Sequence, residues 1–171
     1  MRILSIITVL AIVILFVGCG ENKPEAVEVK KEHRIMDDAE LLTPVQEDSI
    51  FTIIQGLEST IGSQIAVLTI GSLSGESIES FSLRIVEKMK LGREMYDDGV
   101  LITVALTDRK MKIDVGYGLE KIIGDEVAAR IIREDMTPRF QKGDFFNGIK
   151  TAVEKIRKLI EENRQLVGER P

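Results

Sequence analysis

The chain has 171 residues, enough for one domain once a leader and a tail are set aside. Its composition, 44% hydrophobic and 30% charged, is that of a packed globular protein and excludes a disordered one. A formal net charge of -5 offers no basic face to nucleic acid, one cysteine permits neither an internal disulfide nor a multi-cysteine zinc site, and the single histidine, His33, precedes the expected fold.

Arg2 is followed by an apolar run from Ile3 to Val17, then Gly18 and Cys19. One early positive charge, a short apolar stretch and a small residue before a cut describe a secretory leader. The run is shorter than the roughly 20 apolar residues a stable membrane span needs. Phe16-Val17-Gly18-Cys19 resembles a bacterial lipobox, with residues 1–18 removed as signal peptide and a lipid attached to Cys19. Phe16 departs from the small aliphatic residue usual at its place. The alternative is an uncleaved N-terminal anchor with Cys19 a bystander. Both readings put the rest of the chain outside the cytoplasm and against a membrane. Gly20 stands where many inner-membrane lipoproteins carry aspartate, which in a two-membrane cell favours the periplasmic side of the outer membrane. Residues 19–33 alternate in charge around Pro24 and read as a flexible tether.

The domain is expected over residues 34–164. Thr43-Pro44-Val45-Gln46 has the form of a capping box with proline at the first helical position. Ile50, Ile53, Ile54, Leu57 and Ile61 then recur at helical spacing up to Gly62. Gln64 to Ile70 reads as a strand, and Ile78, Phe81, Ile85 and Met89 mark a second helix. Gly99 to Leu106 is nearly continuous in apolar residues, as expected of a strand buried on both faces. After the turn Thr107-Asp108-Arg109, the stretch from Lys110 to Val115 alternates strictly, which predicts a half-exposed edge strand. Val127, Ile131 and Ile132 fall on a third helix that Pro138 ends. Phe145, Ile149, Ala152, Val153, Ile156, Leu159 and Ile160 form the stripe of a last helix, and residues 165–171 are expected to fray. This alternation predicts a three-layer α/β/α sandwich with a small mixed sheet.

Acidic residues gather beside glycine or at element ends: Asp37-Asp38, Tyr96-Asp97-Asp98-Gly99, Gly116-Tyr117-Gly118-Leu119-Glu120 and Gly124-Asp125-Glu126. Several carboxylates on flexible loops suit a hard divalent cation, which also relieves their mutual repulsion. Each cluster also has a plain reading, as a turn, a bend or a helix cap. Gly116-Tyr117-Gly118 lacks the third glycine of a dinucleotide site and the Gly-Lys-Ser/Thr of a phosphate loop, so no nucleotide cofactor is expected. No serine lies in a nucleophile elbow, and no catalytic residue can be named.

Four segments, residues 36–42, 98–102, 108–120 and 138–149, together resemble the TPM domain family. Met36-Asp37-Asp38-Ala39-Glu40-Leu41-Leu42 is similar to its opening signature, and Asp98-Gly99-Val100-Leu101-Ile102 to its Asn-Gly-Val-Leu-Leu strand. Asp108-Arg109-Lys110 with Ile113-Asp114-Val115-Gly116-Tyr117-Gly118-Leu119-Glu120 resembles its most distinctive stretch. Pro138-Arg139-Phe140, Gly143-Asp144-Phe145 and Gly148-Ile149 resemble its closing segment. The resemblance implies an α/β/α sandwich with a divalent cation, calcium first and magnesium second, at the acidic loops. Asp98 stands where the family commonly has asparagine. The ligands so implied are Asp37, Asp97, Asp98, Glu120 and Asp125, with Arg109 as a charge clamp in a phosphatase reading. Two functions follow as expectations. One is a membrane-tethered binding module that aids assembly or maintenance of membrane and envelope complexes. The other is a metal-dependent acid phosphatase acting on phosphomonoesters, the activity associated with plant thylakoid-lumen relatives.

Overall fold

The computed structural model describes residues 34–169; the leader, Cys19 and the tether through His33 lie outside the described residues. The chain enters through a short strand, β1 (Ile35–Asp37), and a long helix, α1 (Pro44–Thr60). The expected capping box opens α1: Thr43 Oγ1 accepts from the Gln46 N–H, and Gln46 Oε1 accepts from the Thr43 N–H. Gly62, at φ +94, lets the chain leave the helix in the left-handed region that glycine adopts without strain. Strand β2 (Gln64–Ile70), helix α2 (Ile78–Met89), and the hairpin of β3 (Gly99–Ala105) and β4 (Lys110–Val115) follow.

The sheet order is β1-β2-β3-β4. The β1/β2 and β2/β3 pairs are parallel, and β3/β4 is antiparallel, as the helical and hairpin connections required. All seven residues of β3 are buried, and β4 is the half-exposed edge. Ile65, Val67, Val100, Ile102 and Ile113 face α1 and the C-terminal helices, forming the main core. Ala66, Leu68, Ile70 and Leu101 face α2 and form a smaller one. The three-layer α/β/α expectation holds.

Between β4 and the last helix the structure departs from the sequence reading. After a 3-10 turn at Tyr117–Leu119, α3 (Asp125–Arg130) passes into a π-helical segment, Ile131–Met136, and then into α4 (Thr137–Phe140). Pro138 therefore does not end a helix. It is the second residue of α4, and the chain runs on helically through it from the wide π-helical segment. Helix α5 (Phe145–Glu162) buries the expected stripe, Ile149, Ala152, Val153, Ile156 and Ile160. The tail is also more ordered than expected. Arg164–Leu166 forms a 3-10 turn, and the Gly168 N–H donates to the Gly118 carbonyl at 2.9 Å.

Candidate functional site

The fold sends the acidic residues singled out in the sequence to different tasks. The Asp98 carboxylate is fully buried. Its Oδ1 accepts from the Arg93 N–H at 2.8 Å, and its Oδ2 accepts from Arg93 Nε at 2.9 Å, Arg93 Nη2 at 2.6 Å and Ser63 Oγ at 3.1 Å. A carboxylate so engaged is an internal ion pair that ties the end of α1 to the loop before β3. Asp37 is likewise occupied. One oxygen accepts from the Thr69 hydroxyl and the other from the Leu42 N–H at 2.8 Å, which fastens the β1–α1 connection to β2. Asp97, in the left-handed region at φ 49, offers its carbonyl to the Gly118 N–H at 3.0 Å.

Glu120, Asp125 and Asp114 border the same cavity without forming a tight cluster. The three line one cavity of about 240 Å³, walled by Leu83 and Val86 of α2. Asp114 reaches it through strand alternation: Met111, Ile113 and Val115 pack on the main core, so Lys112 and Asp114 turn to the α2 side. There Lys112 Nζ donates to Asp114 Oδ1 and to Ser82 Oγ of α2 at 3.3 Å. The other oxygen of Asp114, Oδ2, is buried without a hydrogen-bond partner. Sequence reasoning passed over Asp114, Lys112 and Arg93. The signal for the first two was the polar side of β4, which reads as solvent-facing until α2 is known to lie across it.

An orphaned, buried carboxylate oxygen at a cavity that two further acids also line is a chemical fit for a cation, since such an atom keeps its desolvation penalty until a positive partner arrives. The fit is to an open rim and not to a closed cage. Among the described residues, no three His, Cys, Asp or Glu side chains are grouped to hold a metal ion. The rim would supply part of an oxygen shell, with water completing it.

Arg109 lies elsewhere. It follows β3, whereas Asp98 precedes it; seven strand residues at about 3.3 Å each separate the two by roughly 20 Å. The turn that carries it is fixed by Asp108, whose Oδ2 accepts from the Leu73 N–H at 2.9 Å. That hydrogen bond holds the Asp108 carboxyl below its ordinary value of 3.8, with Ser72 and Lys110 adding to the shift and desolvation opposing it.

Among the described residues no helix is long and apolar enough to cross a membrane. No curated protein matches the chain. Solved structures do. The N-terminal domain of a protein from P. gingivalis is 27% identical, with a TM-score of 0.71, over 77% of this chain and 83% of that one. A protein from the psychrophilic bacterium Bizionia argentinensis, 22% identical with a TM-score of 0.61, covers 71% of this chain and 82% of its own. The N-terminal domain of a Corynebacterium glutamicum protein, 12% identical with a TM-score of 0.60, covers 78% and 83%. The last two show the shared fold alone. The model of the TPM domain matches residues 35–159, from β1 to near the end of α5, so the chain belongs to the TPM domain family.

Proposed function

We propose that this chain is a membrane-tethered, extracytoplasmic TPM module that binds a divalent cation, calcium first and magnesium second, and serves assembly or maintenance of envelope complexes. The observation that carries the cation is the buried, unpartnered Oδ2 of Asp114 at a cavity that Glu120 and Asp125 also line. Lys112 neutralises one carboxylate, which leaves the rim with surplus negative charge. A cation offsets that surplus and gives Oδ2 its partner. Of the ligands expected from the sequence, Glu120 and Asp125 stay in this reading. Asp37, Asp97 and Asp98 leave it, since the first and last are engaged by protein donors and none of the three lines the cavity.

Calcium titrated into the metal-stripped chain from Arg34 onward should raise its melting temperature saturably. A ligand that binds only the folded state adds about 2.7 kcal/mol at one hundred times Kd. Asp114→Asn and Glu120→Gln should each weaken the response, and Lys112→Gln should strengthen it by removing the resident ammonium. A flat response to calcium, magnesium and manganese would sink the cation reading.

The phosphatase reading needs the same cation to polarise a phosphoryl oxygen, with a positive side chain nearby. Lys112 is the cation lining this cavity, and Arg109 stands at the far end of β3. If the chain is a phosphatase, hydrolysis of a phosphomonoester should collapse in Asp114→Asn and survive Arg109→Gln. For the tether, the full chain made in bacteria fed labelled palmitate should carry the label, and Cys19→Ser should lose it. An unlabelled native chain would return the N-terminus to the uncleaved-anchor alternative.

A further inference from the structure

The cavity at the opposite end of β3 is larger and of opposite character. It measures about 470 Å³, within the range of small-molecule sites. Val104 and Met111 of the hairpin and the rings of Phe140 and Phe145 give it apolar walls. Arg109 and Lys110 also line it, and no acidic side chain does. On a protein of net charge -5, an acid-free lining with two cations favours anions even with Asp108 close to Lys110, because Asp108 carries one charge against their two.

The walls are preformed. Phe140 and Phe145 meet edge to face, with centroids 5.2 Å apart and planes at 84°. Phe140 rests directly on Gly148 of α5, where an added Cβ would come within 2.5 Å of the ring. On the same wall, the Thr137 N–H and hydroxyl both donate to the Ile132 carbonyl, closing the π-helical segment. Such wide turns concentrate at functional sites; this one sets the register that brings Thr137, Phe140 and Gln141 to the cavity.

Arg109 is exposed, and among the described residues its side chain makes no ion pair or hydrogen bond. Its neighbour Asp108 is committed to the Leu73 N–H. Its backbone lies at φ 51, where glycine or asparagine is less strained, yet the position holds a guanidinium. A guanidinium pairs a carboxylate with two parallel hydrogen bonds.

The geometry points to a binding site for a medium-chain carboxylate, its head on Arg109 and Lys110 and its hydrocarbon body between Met111, Phe140 and Phe145. The test uses the full chain and decanoate below its micellar concentration, with the Met111 methyl resonance as a local reporter. The resonance should shift saturably. Arg109→Gln combined with Lys110→Gln should weaken binding about tenfold with the melting temperature unchanged, because both side chains are exposed. Decanol, lacking the charge, should bind about tenfold more weakly as well. Gln141→Trp, placing a ring at the cavity rim, should abolish the shift. The proposal is overturned if millimolar decanoate leaves Met111 unmoved, if the double variant binds as tightly as the parent, or if decyltrimethylammonium binds as well as decanoate. Shifts confined to residues upstream of Arg34 would also overturn it.

Discussion

Asp98→Ala will lower the unfolding free energy by about 2–4 kcal/mol and will leave the response to calcium intact. Removing one member of a buried ion pair typically costs about 3–5 kcal/mol. The lower figure applies here because Arg93 is 34% exposed and can rehydrate when its partner goes. The cost remains large because four donors lose their acceptor together, among them the Arg93 N–H and the Ser63 hydroxyl. Arg93 also stacks over Tyr96 at 3.9 Å, so the damage extends to the loop that leads into β3. Urea denaturation with and without calcium measures both quantities. A loss below about 1 kcal/mol together with a vanished calcium response would make Asp98 a ligand and refute its assignment as an internal ion pair.

Gly118→Ala should be as damaging for a different reason, with an expected loss of about 3 kcal/mol or more. A Cβ at this position would fall 1.7 Å from the Tyr96 carbonyl oxygen, and one at Gly116 would fall 2.1 Å from that of Asp97. The two loops touch backbone to backbone, and the opposing atoms are main chain that no rotamer can move. The loops would have to separate, breaking the bond from the Gly118 N–H to the Asp97 carbonyl and the tail's bond to the Gly118 carbonyl. Gly71→Ala is the control: it is exposed with nothing within 4 Å, so its effect should stay within about 0.5 kcal/mol. Equal stability of the two variants would refute the close approach.

These two positions also mark where the sequence was legible and where it was not. Periodic signals survived intact. The apolar run of β3, the alternation of β4, the stripe of α5 and the capping box at Thr43 each depend on neighbours along one element, and each appeared where expected. Strand β1 was missed because three residues carry no pattern; only pairing with Val67, Leu68 and Thr69, some thirty positions on, makes Ile35–Asp37 a strand. The tasks of Asp37 and Asp98 were hidden for the same reason. Thr69 and Ser63 reach them by tertiary approach, and Arg93, though only five residues before Asp98, meets it through an irregular loop that follows no spacing rule. Pro138 misled because proline normally closes a helix, whereas here the wide π-helical segment before it lets the helical run continue through it. Glu120 and Asp125 stand out in the sequence because glycine-rich loops at strand ends are where polar groups concentrate, and both border the cavity. Asp114 does not, because its burial depends on a helix far away in sequence.

The lone helix on one side of the sheet has a dynamic consequence. Among the described residues, α2 covers its face by itself, over the smaller of the two apolar clusters, while α1, α3 and α5 share the other. Native-state opening follows the units that bury least. α2 can therefore lift and return as one cooperative piece while the opposite layer keeps its amides protected from exchange with solvent. The hem of that piece is Leu83 and Val86, the wall over Asp114. Each excursion would uncover the Asp114 oxygen that is otherwise buried behind the open rim, and ions would exchange there faster.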